Sequence, residues 1–144
     1  AAAATAPAWP GPERAAALLK NRRVLLAAPA GDVRELLEIA LASWGALVEV
    51  VEDRAELLVA CRDATPDAIL LDAQGGDLDL LDMYNELLEH HPLAAARVIP
   101  MAAVSAADEL RKFLEAYPGP ILTKPFGVHR MAEALEIVLH AKVS

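Results

Sequence analysis

Two residues in this sequence stand where their types could do chemistry. Asp72 closes the apolar run Ala68-Ile69-Leu70-Leu71, and Lys124 follows the run Pro120-Ile121-Leu122. Continuous apolar runs are buried, and a charge placed at the end of one must find a partner or solvent. If the chain brings them together, they form an ion pair. With further acids beside it, Asp72 would instead help hold a hard divalent cation, which prefers oxygen ligands. Other candidates read more simply. Asp77, Asp79 and Asp82 resemble a metal cluster in composition but suit the cap and first turn of a helix better. Gly75-Gly76 lacks the residues of a phosphate loop and reads as a turn. His90 and His91 fall at an expected helix C-terminus, and neither they nor His129 and His140 have zinc spacing. Cys61 lies in a helical apolar pattern and reads as core.

The elements that must position Asp72 and Lys124 follow from hydrophobic period. Short apolar runs at Val24–Ala28, Val48–Val51, Ala68–Leu71, Val98–Ala103 and Pro120–Leu122 predict strands buried on both faces, although Pro100 costs the fourth a ladder hydrogen bond. Helical patterns separate them. Val33, Leu36, Leu37, Ala40, Leu41 and Trp44 share one stripe, with Asp32 expected as N-cap and Glu35 completing a capping box. Leu57, Leu58 and Cys61 mark a second helix, entered through Asp53 and Glu56. Leu80, Tyr84, Leu87, Leu88 and His91 mark a third. Leu110, Phe113, Leu114 and Tyr117 mark a fourth, entered at Ser105, and Val128, Met131, Leu135, Val138 and Leu139 a fifth. The alternation predicts an α/β fold: a flavodoxin-like (βα)5 doubly wound parallel sheet in the order 2-1-3-4-5. Ligands in such folds bind outside the carboxyl ends of the strands, the rim that would carry Ala28, Pro29, Asp72, Ala102 and Lys124.

Composition bounds the rest. With 56% hydrophobic but only 4% aromatic residues, the core must be built from Ala, Leu, Val and Ile. A net charge of −8 argues against nucleic acid and anionic membrane as partners. One cysteine permits no intrachain disulfide and fits a reducing cytoplasm, and neither a signal peptide nor a membrane span is expected. Residues 1–22 read as an Ala/Pro-rich linker with a lead-in helix near Glu13–Lys20, and residues 23–144 as the domain.

From Arg23 to the C-terminus the chain resembles the response-regulator receiver (CheY-like) domains. Ala68-Ile69-Leu70-Leu71-Asp72 resembles their phosphoacceptor strand and Leu122-Thr123-Lys124-Pro125-Phe126 their lysine–proline signature. The separations from Asp72 to Ala102 and from Ala102 to Lys124 match, and Arg23 to Leu37 resembles the first strand and helix. The resemblance implies a cis Lys124–Pro125 bond. It also implies Mg²⁺-dependent aspartyl phosphorylation, with an acidic pair after the first strand, a hydroxyl residue on the fourth and an aromatic on the fifth. Here the acidic pair falls on Ala28 and Pro29, the hydroxyl on Ala102 and the aromatic on Ile121. The Pro and Gly of the loop after the phosphoacceptor fall on Gly76 and Leu80. Three acids and a lysine give a site charge of about −2, one acid and a lysine about zero, so a dication has little electrostatic reason to enter.

These departures point to a degenerate, non-enzymatic pseudo-receiver of a two-component phosphorelay. It would work by protein–protein contact without a cofactor, Mg²⁺ being needed only if Asp72 is phosphorylated. The segment Lys20-Asn21-Arg22-Arg23 resembles the entry to a receiver appended to a hybrid histidine kinase, so histidine kinase domains or a response regulator are the expected partners. The expected interaction face comprises Glu109, Lys112 and Ala116 on the fourth helix with Arg130 and Ala134 on the fifth. The competing face is the first helix, with Arg34, Glu38 and Ser43. Two alternatives stand beside this reading: a functional phosphoreceiver using Asp72, and a nucleotide second-messenger sensor using Arg97, Arg111, Lys112, Arg130 and Tyr117.

Overall fold

The computed structural model describes residues 11–72, 79–103 and 108–143. The strands are β1 (Arg23–Ala27), β2 (Leu47–Val51), β3 (Ala68–Asp72), β4 (Val98–Ala103) and β5 (Leu122–Lys124), and they form one parallel sheet in the order β2-β1-β3-β4-β5. The order is the one the alternating pattern predicts. Leu25, Leu26, Ile69, Leu70 and Ile99 have no solvent exposure, because helices cover both sheet faces. Burying each such side chain stabilises by about 1.5–3 kcal/mol. Pro100 sits within β4, opposite Leu71, and does not interrupt the strand. Ile121, expected within the fifth strand, is half-buried and immediately precedes it.

The described helices are α1 (Pro12–Leu19), α2 (Asp32–Ser43), α3 (Arg54–Asp63), α4 (Leu80–His90), α5 (Pro92–Ala95), α6 (Asp108–Ala116) and α7 (Val128–Val143). The expected lead-in helix forms as α1 and is part of the packed body, since Ala15 and Leu19 join the core beside α7. Asp53 caps α3 by accepting a hydrogen bond from the Glu56 amide, and Asp79 caps α4 through the Asp82 amide. The turn leaving α2 is a Schellman motif. The Ala46 amide donates to the Leu41 carbonyl and that of Gly45 to the Ala42 carbonyl, with Gly45 at φ 83°. Ser105, Gly75, Gly76 and Asp77 lie outside the described residues.

Five expectations are corrected. The second strand, expected to be buried on both faces, is the edge strand β2, and of its residues only Val51 is buried. Asp32 is not the N-cap of α2. Gly31 takes that position at φ 156°, Asp32 becomes the first helical residue, and no side chain caps the helix. The apolar stripe of α2 is wider than its buried face. Leu37, Leu41 and Trp44 are buried, while Val33 and Leu36 point outward. Leu88 of α4 is likewise exposed. Ala134, expected on the outer face of α7, is buried. With α1 packed on one side and the sheet on another, α7 buries Met131, Ala132, Ala134, Leu135, Val138 and Leu139 together.

The tie between α1 and α7 responds to pH. Arg14 donates to both oxygens of Glu136, at 2.6 and 3.3 Å. That hydrogen bond, with a smaller contribution from nearby His140, holds the Glu136 carboxyl below its ordinary range against slight desolvation. A depressed carboxyl contributes stability above its unfolded value and loses it as the pH falls through the folded one. Acidification through the lower carboxylate range is therefore expected to speed amide exchange in α1 before the core opens. Arg14→Gln should remove that acid dependence. An unchanged acid dependence in the variant would show that the pair does not secure the helix.

Candidate functional site at the carboxyl edge of the sheet

The sheet ends β3 and β5 on the same rim, and Asp72 and Lys124 meet there. The Lys124 Nζ lies 2.9 Å from Asp72 Oδ1 and 2.8 Å from Oδ2. The Asp72 side chain is 9% exposed and that of Lys124 25%. The peptide bond between Lys124 and Pro125 is cis, as the resemblance implies.

A cleft of about 410 Å³ opens above this pair. Its walls are mainly apolar: Ala28 and Pro29 after β1, Val33 and Leu36 on α2, and Phe126 after β5. Ala28 is buried and Pro29 exposed, so the two positions that would carry an acidic pair offer a methyl group and a ring. Ala102 is buried on β4, in register with Thr123. Asp32 also lines the cleft, in the first turn of α2. Among the described residues, no three His, Cys, Asp or Glu side chains gather closely enough to hold a metal ion.

Sequence reasoning did not single out Arg34 as part of this rim. Its side chain is 16% exposed and folds back, so it does not belong to the outer side of α2. Nη1 donates to the Ala28 carbonyl at 3.2 Å and to Glu52 Oε2 at 2.8 Å. Nε is buried with no hydrogen-bond partner among the described residues. A buried donor left unpaired costs about 1–3 kcal/mol. The signal that could have found it is the position of Arg34 three residues past Gly31, in the first turn of the helix that follows β1.

The residues proposed for nucleotide sensing are spread over several elements. Arg97 precedes β4 at the opposite edge and donates to the Pro66 carbonyl. Arg111 pairs with Asp108, and Arg130 lies 3.5 Å from Glu133. Tyr117 is engaged within the protein. It donates to the Val98 carbonyl and packs against Tyr84 and Phe113 at centroid distances of 5.4 and 5.6 Å. Burial pushes its phenol well above the ordinary range. Glu109, Lys112, Ala116 and Arg130 are exposed as expected, whereas Ala134 is not.

Comparison with known structures agrees with the topology. The receiver domain of NtrX from Brucella abortus superposes with a TM-score of 0.70 at 24% identity, covering 81% of this chain and 98% of that one. The chain has the receiver fold. The signal receiver domain of a signal transduction histidine kinase from Syntrophus aciditrophicus also matches this receiver fold, with a TM-score of 0.71 at 20% identity over 83% of this chain and 91% of that one. In sequence, the DNA-binding transcriptional regulator NtrC of Escherichia coli is 29% identical over 108 residues, or 73% of this chain. The chain spans 22% of the length of that relative. No family model matches the chain. Among the described residues, no helix is long and apolar enough to cross a membrane.

Proposed function

We propose that this chain is a pseudo-receiver of two-component signalling, a non-enzymatic module that contacts other signalling proteins without being phosphorylated. One observation carries the reading. The acid–lysine pair Asp72–Lys124, the one such pair among the described residues of the rim, is closed on itself beneath a cleft whose positions for an acidic pair are Ala28 and Pro29. A receiver needs charge to attract Mg²⁺ and donors to receive a phosphoryl group. Asp72 is already matched by Lys124, and Ala102 brings no hydroxyl. The donor set in the described residues therefore does not suit Mg²⁺.

Contact with a partner falls to the surface. The mixed charges of Glu109, Lys112 and Arg130 around small Ala116 suit a transient interface with histidine kinase domains or a response regulator. Membership of a hybrid histidine kinase rests on the lead-in segment Lys20–Arg23. A cytoplasmic location fits this role and the single buried cysteine.

Acetyl phosphate with Mg²⁺, read by intact-protein mass, tests the reading. The expected result is no phosphorylated species, with an active receiver labelled in parallel. A phosphoryl adduct lost in Asp72→Asn would favour a functional phosphoreceiver instead.

A further inference from the structure

We propose that the cleft at the carboxyl edge binds a small amphipathic carboxylate, an anionic head on an aliphatic or aromatic body. This deepens the reading of the same rim and rests on it, since a cleft that held Mg²⁺ and phosphate would have no room for an apolar body. Its volume of about 410 Å³ falls within the range of small-molecule pockets, roughly 300–1,000 Å³. Such pockets combine apolar walls with a few directed polar groups, and this one does the same.

The apolar body has its wall. Ala28, Pro29, Leu37 and Phe126 form the inner surface, and Val33 and Leu36 form the outer lip. Val33 is 61% and Leu36 57% exposed, so a body seated against them would remove apolar surface from water. The head has its donors. The Lys124 side chain lines the cleft and is 25% exposed, and its ammonium, bound to Asp72, has capacity for another acceptor. Helix α2 begins at the cleft without a side-chain cap, so its first amides and positive dipole end are open. Arg34 also lines the cleft, but its Nε is buried and its Nη1 is paired with Glu52, so its charge is already matched. Two donors thus border the cleft, the Lys124 ammonium and the first amides of α2, while Glu52 takes up Arg34. Asp32 is the opposing charge, exposed at the outer end. An ammonium head would compete with Lys124 for Asp72, and a neutral head would make only weaker, uncharged hydrogen bonds to the ammonium and the α2 amides.

Octanoate, octan-1-ol and inorganic phosphate are the probes, each titrated into the isotopically labelled chain and followed by amide shifts. Octanoate is expected to shift Gly31, Val33, Phe126 and Val128 and to bind about tenfold tighter than octan-1-ol, the worth of one charge-assisted hydrogen bond. Phosphate is expected to shift none of them. Lys124→Met should bring octanoate down to the affinity of the alcohol. Leu36→Glu, at an exposed position, should abolish binding with the melting temperature nearly unchanged. Equal affinity for acid and alcohol, shifts with phosphate alone, or no octanoate shifts in these residues would each overturn the proposal. Acetyl phosphate labelling, scored without octanoate, reports separately on the pseudo-receiver reading.

Discussion

Replacing Ala28 and Pro29 together by aspartate is expected to convert the chain into one whose stability depends on Mg²⁺. Both positions line the cleft that Asp72 enters, and Ala28 is 4% exposed. Without metal, two more carboxylates would crowd Asp72 while Lys124 neutralises only one. Desolvating an unpaired acid at position 28 should cost about 3 kcal/mol or more. With Mg²⁺ the three carboxylates acquire a hard oxygen-seeking partner. At a metal concentration one hundred times the dissociation constant, binding to the folded state returns about 2.7 kcal/mol. Thermal melts with and without Mg²⁺ measure this directly. The unsubstituted chain should show no comparable shift. A folded double variant whose melting temperature ignores Mg²⁺ would show that these positions do not face a latent metal site.

Lys124→Met should destabilise the fold by about 1–3 kcal/mol, and Asp72→Asn by clearly less. The asymmetry follows from exposure. Removing the ammonium strands a carboxylate that is only 9% exposed, whereas removing the carboxylate leaves an ammonium that can reach water. The double change Asp72→Leu with Lys124→Met should recover most of the loss. It replaces a paired charge beneath an apolar cleft with apolar groups of similar size, and such replacements are often neutral or better. Denaturant unfolding of the four proteins gives the comparison. Equal losses in the two single variants would mean that water reaches Asp72 as readily as Lys124.

Much of the fold was legible because strand burial writes itself into sequence. Leu25-Leu26 and Ile69-Leu70-Leu71 are buried on both faces, so their runs are unbroken and the βα alternation follows. The meeting of Asp72 and Lys124 was legible too, since parallel strands with helical crossovers end on one rim. Helix surfaces were less so. Val33 and Leu36 are apolar yet exposed, and Ala134 is small enough to read as surface while α1 helps bury it. Residue type alone does not say which side of a helix a neighbouring helix covers. The four-residue α5 has too few residues to show a period. Arg34 was missed for a similar reason. An arginine in the first turn of a helix reads as exposed, and its fold-back onto Ala28 and Glu52 depends on the β1–α2 turn and on β2 together.

The proposal that this rim receives no phosphoryl group is tested by amide spectra with Mg²⁺ and beryllofluoride. Beryllofluoride mimics a phosphoryl group on a carboxylate without requiring turnover. No Mg²⁺-dependent shifts are expected at Ala102, Ile121, Thr123 or Lys124, because Asp72 stays paired with Lys124 and Ala102 has no hydroxyl to offer. Large shifts at Ala102 and Ile121 that require both Mg²⁺ and beryllofluoride, and vanish in Asp72→Asn, would contradict it and establish a working phosphoreceiver.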